Sequence, residues 1–164
     1  MLKRLVVFGL VFVLLQLGWQ AARGTVVQRW VVDDATVHTA SALVNILTPA
    51  VHSWPQGTAV HAWGGGLNVI NGCEGTEAWF LLAAAFVVAR LGWRARLMGF
   101  ALGTLVVFAI NQLRILALFY ANRGHPDLFD LLHDTVGPIV VIALVAGYFY
   151  FWLSRHASQP AAAG

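Results

Sequence analysis

Asn71-Gly72-Cys73-Glu74-Gly75-Thr76-Glu77 runs without interruption into the apolar segment Ala78–Ala89. The chain's single cysteine therefore stands at the mouth of what reads as a membrane helix, with a carboxylate on either side of the entry. An ionised side chain at the centre of a bilayer costs about 3 kcal/mol, so charges mark where such a segment ends. Two further costly groups, Arg114 and His133, lie near the ends of later apolar segments. The expectation is that these three residues meet on one face of a bilayer and build a thiol-dependent site.

Composition supports the membrane reading. Of the 164 residues, 59% are hydrophobic and only 10% are charged, and the mean hydropathy is +0.73. Soluble domains carry roughly 25% charged residues, so this chain lacks the groups to cover a water-facing surface. The net charge of +3 comes from basic residues scattered beside apolar runs, which is not the clustered footprint of a nucleic-acid binder. One cysteine excludes an internal disulfide and a CxxC redox pair. The thiol is either inert packing or a nucleophile.

Taken in order, Lys3 and Arg4 precede the run Leu5–Trp19. Its flank Gly18-Trp19-Gln20-Ala21-Ala22-Arg23 makes a poor cleavage site, so it reads as a retained first span. Asp33 or Asp34 caps an expected helix over Ala35–Val51, with Val37, Ala40, Val44, Leu47 and Val51 at helical spacing. Pro55-Gln56-Gly57 breaks the chain. Thr58–His61 and Leu67–Ile70 then flank Trp63-Gly64-Gly65-Gly66 as a short hairpin delivering the chain to Cys73. Thr76–Trp93, Leu97–Tyr120 and Thr135–Leu153 are three more expected spans, with Ala121–Asp134 as a polar loop. At about 1.5 Å per residue these lengths suit a hydrocarbon core of about 30 Å. The fold expected is an all-α polytopic membrane protein of about four transmembrane helices, an outer interfacial helix and a short outer hairpin. Residues 1–154 form one membrane domain, and 155–164 form a cytoplasmic tail whose composition predicts disorder.

Orientation follows from the basic residues. With the N-terminus cytoplasmic, Lys3, Arg4, Arg90, Arg94, Arg96 and Arg155 face inward and every acidic residue faces out. A span over Ala35–Val51 would put the Arg90–Arg96 cluster outside, so that helix is laid along the outer interface instead. Cys73, Arg114 and His133 then reach the outer leaflet at similar depth. The expected location is the inner (cytoplasmic) membrane, with the site facing the periplasm. Trp19, Trp63, Trp79 and Trp93 read most simply as interface anchors.

The chemistry these residues offer is specific. A thiol attacks as the thiolate, and a first helical turn favours an anion. Asn71 is the expected N-cap with Glu74 at the third helical position, a capping-box variant that places Cys73 in that turn. Glu74 opposes thiolate formation, so a cationic partner is needed, and Arg114 and His133 are available. Arg114 brings a permanent charge and a fork of donors for a developing oxyanion, with Asn111 one turn earlier to position it. His133 is placed to take the thiol proton and return it to a leaving amine, oriented by Asp130 or Asp134. Gly137, on the same face, leaves room for a substrate backbone. Each residue also has a plainer reading: Cys73 as core packing, Arg114 as a snorkelling cation, His133 as a solvated helix start. No cofactor is called for, and the histidine spacing is not that of a metal site.

These stretches together resemble the exosortase/archaeosortase family of membrane cysteine transpeptidases and proteases. The matching motifs are Asn71-Gly72-Cys73-Glu74-Gly75, Asn111-Gln112-Leu113-Arg114 and His133-Asp134-Thr135-Val136-Gly137, and the resemblance covers roughly Pro55 to Leu153. With about half the spans of many members, the chain is similar to a short form of the exosortase H type. The resemblance implies Cys73 as nucleophile, Arg114 as oxyanion or substrate stabiliser and His133 as general acid/base. The implied substrates are exported proteins cut at a C-terminal sorting signal of motif, transmembrane helix and basic cluster. Where members often carry an aromatic before the histidine, this chain has Leu132. Two other functional classes stay open: a non-catalytic membrane assembly or partner-binding protein with an outer-leaflet polar cluster, and a redox-sensing thiol protein.

Overall fold

The computed structural model describes residues 2–69 and 73–156. Helix α1 spans Leu2–Ala22. Leu5, Val6, Leu10, Leu14 and Leu17 point away from the protein, a contiguous apolar face that water would not tolerate and hydrocarbon does. A short turn α2 (Val26–Gln28) is capped by the Thr25 hydroxyl, which accepts from the Val27 amide. It continues without a break through a π-helical stretch, Arg29–Val37, into α3 (His38–Leu47). Helix therefore begins well before Ala35, and Asp33 and Asp34 lie inside it rather than capping it. The wider π turn is held by one local and one tertiary contact. The Thr36 hydroxyl donates to the Val31 carbonyl at 2.7 Å, and Gln112 donates to the Thr36 carbonyl at 3.3 Å. Of the five periodic apolar positions, Val37, Ala40 and Val44 are buried, while Leu47 is exposed beside the helix end.

The expected hairpin is a three-stranded antiparallel sheet, β1 (Trp54–Gln56), β2 (Ala59–His61) and β3 (Leu67–Asn68), in the order β1-β2-β3. Pro55 does not break the chain here. It sits in an outer strand opposite Val60, and an edge is where a residue without an amide hydrogen is tolerated. The sheet is fixed at two ends. Ser53 exchanges hydrogen bonds with Asn45 of α3, at 2.7 Å and 2.8 Å. The Gly-rich loop is gripped by the far end of the next long helix, where Arg123 donates to the Trp63 carbonyl at 2.8 Å and Asn122 to the Gly66 carbonyl at 2.8 Å. Ile70, the end of the expected second strand, lies outside the described residues.

Helix α4 (Thr76–Val88) has 13 residues, about 20 Å of helix, and ends five residues before Trp93, where the expected span closed. Only Glu77 and Val87 along it are exposed, because α1, α5 (Trp93–Gly124) and α7 (Gly137–His156) pack around it. A helix surrounded by protein does not need to match the bilayer thickness by itself. Arg96 of α5 donates to the Ala89 carbonyl just past its end at 2.9 Å, which satisfies a backbone group that lipid would leave unpaired. Among the described residues, three helical segments are long and apolar enough to cross a membrane, Leu2–Ala22, Trp93–Gly124 and Asp127–His156. The chain is thus an α-helical polytopic membrane protein.

The expected polar loop Ala121–Asp134 is helical. Its start completes α5, Pro126 opens α6 (Pro126–Leu131) at the first helical position, and a second π-helical stretch, Leu132–Val136, leads into α7. Its polar residues therefore lie largely on helix rather than on irregular chain.

Candidate functional site

Cys73 lies outside the helices, on the coil that enters α4. The N-cap of α4 is Gly75, at φ +78°, so the capping box is not formed by Glu74 and Cys73 precedes the first turn. Asn71 lies outside the described residues. The thiol is 0% exposed and packs in a core with Val60, Leu67 and Val69 from the sheet side and Ile115, Leu118 and Phe119 from α5. What fixes its backbone is Asn111, whose Nδ2 donates to the Cys73 carbonyl at 2.9 Å. Gly75 is required at this junction twice over. Its left-handed backbone suits glycine, and a Cβ would stand 2.6 Å from Asn111 Cγ.

Three residues on from Asn111, and therefore on the same face of α5, Arg114 donates from Nη2 to the His133 carbonyl at 3.2 Å. One face of one helix thus holds both the cysteine-bearing coil and the histidine-bearing π stretch. Asn111 was expected to position Arg114; its contact is to Cys73 instead. Gly137 was expected to leave space for a substrate backbone. A Cβ there would instead run into the Leu132 carbonyl and come within 2.9 Å of Arg114 Nε, so the space is filled by the guanidinium.

The His133 ring is set by two neighbours. Nδ1 lies 2.7 Å from Asp134 Oδ1, and the ring stacks on Phe129 with centroids 5.4 Å apart. Asp134 is 72% exposed, so this contact contributes little to stability and its consequence is orientation. The position directly before His133, where the resemblance leads one to look for an aromatic, is Leu132; the ring against the imidazole comes from Phe129 instead. Its signal was its position four residues before His133 on a helical face.

Electrostatics at the sulfur are mixed. Burial pushes the Cys73 pKa up and is the largest effect; Arg114 pulls it down, and Glu74 and Asp134 push it further up. Arg114 and Asp134 are therefore close enough to be felt at the thiol, and the resting group is the neutral thiol. Glu74 accepts a hydrogen bond from Trp19 Nε1 at 3.4 Å, which ties the first helix to the residue after the cysteine. Trp79 donates to the Thr104 hydroxyl at 2.9 Å. These two tryptophans serve the interior rather than anchoring the interface, unlike the exposed Trp63 and Trp93.

The sequence profile of the transmembrane exosortases matches residues 2–152, a stretch reaching well upstream of Pro55, where the resemblance begins. No curated protein and no solved structure matches the chain. With nearly its whole length matched, including all three motifs and the first helix that reaches Glu74, the chain belongs to the transmembrane exosortase family.

Proposed function

We propose that this protein is a membrane-embedded cysteine transpeptidase or protease that cuts the C-terminal sorting signal of exported proteins on the outer face of the cytoplasmic membrane. The observation that carries the reading is the α5 face on which Asn111 and Arg114 hold the Cys73 and His133 segments together. A neutral buried thiol needs a proton acceptor before it attacks, and His133 is the titratable base of this cluster. In the first step His133 takes the thiol proton, and the sulfur forms a bond to the carbonyl carbon. Arg114 stabilises the oxygen that becomes negative. The C–N bond then breaks, His133 returns the proton to the departing amine, and a thioester remains on Cys73. Water, or an acceptor amine, resolves the thioester by the reverse proton path.

Processing of a co-expressed exported protein with a motif, membrane helix and basic tail tests this. Cys73→Ala is expected to leave only uncut precursor while the protein still accumulates in the membrane. Undiminished cutting by Cys73→Ala sinks the proposal. The complete burial of Cys73 in an apolar cluster favours one other reading, a non-catalytic assembly protein. On that reading the Cys73→Ala and Cys73→Ser chains retain full function.

A further inference from the structure

Beside the candidate site lies a cavity of about 480 Å³, within the usual size range of ligand pockets. Its walls are almost wholly apolar and include Trp19, Trp30, Trp79, Val107 and Phe108. Several polar atoms on the walls already have partners within the protein: Trp19 Nε1 bonds Glu74, Trp79 Nε1 bonds Thr104, the Thr104 hydroxyl bonds the Phe100 carbonyl and the Thr36 hydroxyl bonds the Val31 carbonyl. Asn111 Oδ1, at the end nearest Cys73, is buried with no hydrogen-bond partner among the described residues. The cavity therefore selects for apolar groups along its length, with one buried acceptor at the Asn111 end.

Its position is as informative as its lining. Glu74 and Gly75, which directly follow Cys73, line it, and so does Asn111, which holds the Cys73 carbonyl. From Asn111 it follows α5 past Phe108 to Thr104, about 10 Å along the helix axis. Phe108 is near the midpoint of Trp93–Gly124, so the cavity runs from the cysteine toward the middle of the membrane. One wall is the π stretch Arg29–Val37, through Trp30, Val31, Ala35 and Thr36. Such widened helical turns recur at functional sites.

From this placement we infer that the cavity is the subsite for the apolar, membrane-embedded residues of the substrate polypeptide that adjoin the bond held at Cys73. The cavity begins at Glu74, the residue directly after the cysteine, so a polypeptide held at Cys73 has the cavity next along its path. A lipid tail would satisfy the lining equally well, but nothing would register it to Cys73. Continuity with the residue after the cysteine favours a peptide. The inference rests on the peptidase reading and names where that reaction's specificity resides.

The test uses the full chain in phosphatidylcholine nanodiscs. The probe is a synthetic peptide with a polar head, a leucine-alanine helix and a lysine tail, carrying photo-leucine at the head–helix junction. Irradiation with wild type and with Cys73→Ser is expected to attach the probe to Trp30, Val107 or Phe108, mapped by mass spectrometry. Ala35→Trp, at an exposed lining position, is expected to cut that labelling by about tenfold or more, the binding equivalent of an overfilled pocket, and Ala35→Leu to do so less severely. Attachment only outside the cavity, or attachment unchanged by both fillers, overturns the inference. So does labelling of the same residues by a photoreactive phosphatidylcholine that the peptide does not displace. If the peptide labels the cavity but no variant ever cuts a substrate, the subsite stands and the cysteine mechanism falls. If substrates are cut while the peptide labels elsewhere, the mechanism stands and the subsite falls.

Discussion

Asn111 Nδ2 sits 2.9 Å from the carbonyl oxygen of Cys73, which makes a buried amide on the longest helix the fixture of a coil that no helix of its own supports. The contact joins residues far apart in the chain and lies away from water. Its loss leaves a buried carbonyl unpaired, a cost of about 1–3 kcal/mol. Asn111→Ala and Asn111→Asp are both expected to lower thermal stability in detergent by that amount and to abolish processing, since neither supplies the donor. Retained processing by Asn111→Asp would show that the donor is not needed.

Gly75 and Asn111 are in contact, so their substitutions should not add. Gly75→Ala forces a side chain into a left-handed backbone, about 1–2 kcal/mol, and also into Asn111. The alanine change is expected to cost less stability in an Asn111→Ala background than in wild type, and unfolding of the four variants measures the difference. Additivity would mean the two residues do not meet as described.

Arg114 and Gly137 form a second such pair, because a Cβ at 137 intrudes on the guanidinium. Gly137→Ala is expected to reduce processing at least as severely as Arg114→Lys, which keeps the charge and loses the fork. Both proteins should still insert in the membrane. A fully active Gly137→Ala chain would release Arg114 from its proposed role.

The pH dependence of Cys73 alkylation follows from the charges around it. Because burial, Glu74 and Asp134 raise its pKa and Arg114 lowers it, the thiolate forms only above the ordinary thiol range. Alkylation should therefore rise with pH and reach its midpoint above that of a free thiol. Glu74→Gln is expected to move the midpoint down and Arg114→Gln to move it up. Opposite movements, read with a small membrane-permeant maleimide, would contradict the arrangement.

Orientation has its own test. Cys73→Ser removes the only thiol, and Trp63→Cys adds one at a position 74% exposed on the sheet loop. A membrane-impermeant maleimide added outside is expected to label this protein in intact cells. Labelling only after the membrane is opened would place the sheet, and the coil it delivers, on the cytoplasmic side.

Hydropathy by itself decided that the chain lives in a bilayer, because too few charged residues exist to cover the protein in water, and the costly groups left near the segment ends picked out Cys73, Arg114 and His133. What it did not decide was how far each segment is helical. Residues 121–134 look like loop by polarity yet fold as helix, and α4 stops early because its neighbours, not lipid, surround it. The roles of the supporting residues were also beyond reach of spacing. Asn111 meets Cys73 rather than Arg114, and Gly137 makes way for the guanidinium rather than a substrate, since such contacts depend on which helix faces pack together. Only the packed bundle, in which a π-widened helix stands off from α5, opens the cavity beside the thiol.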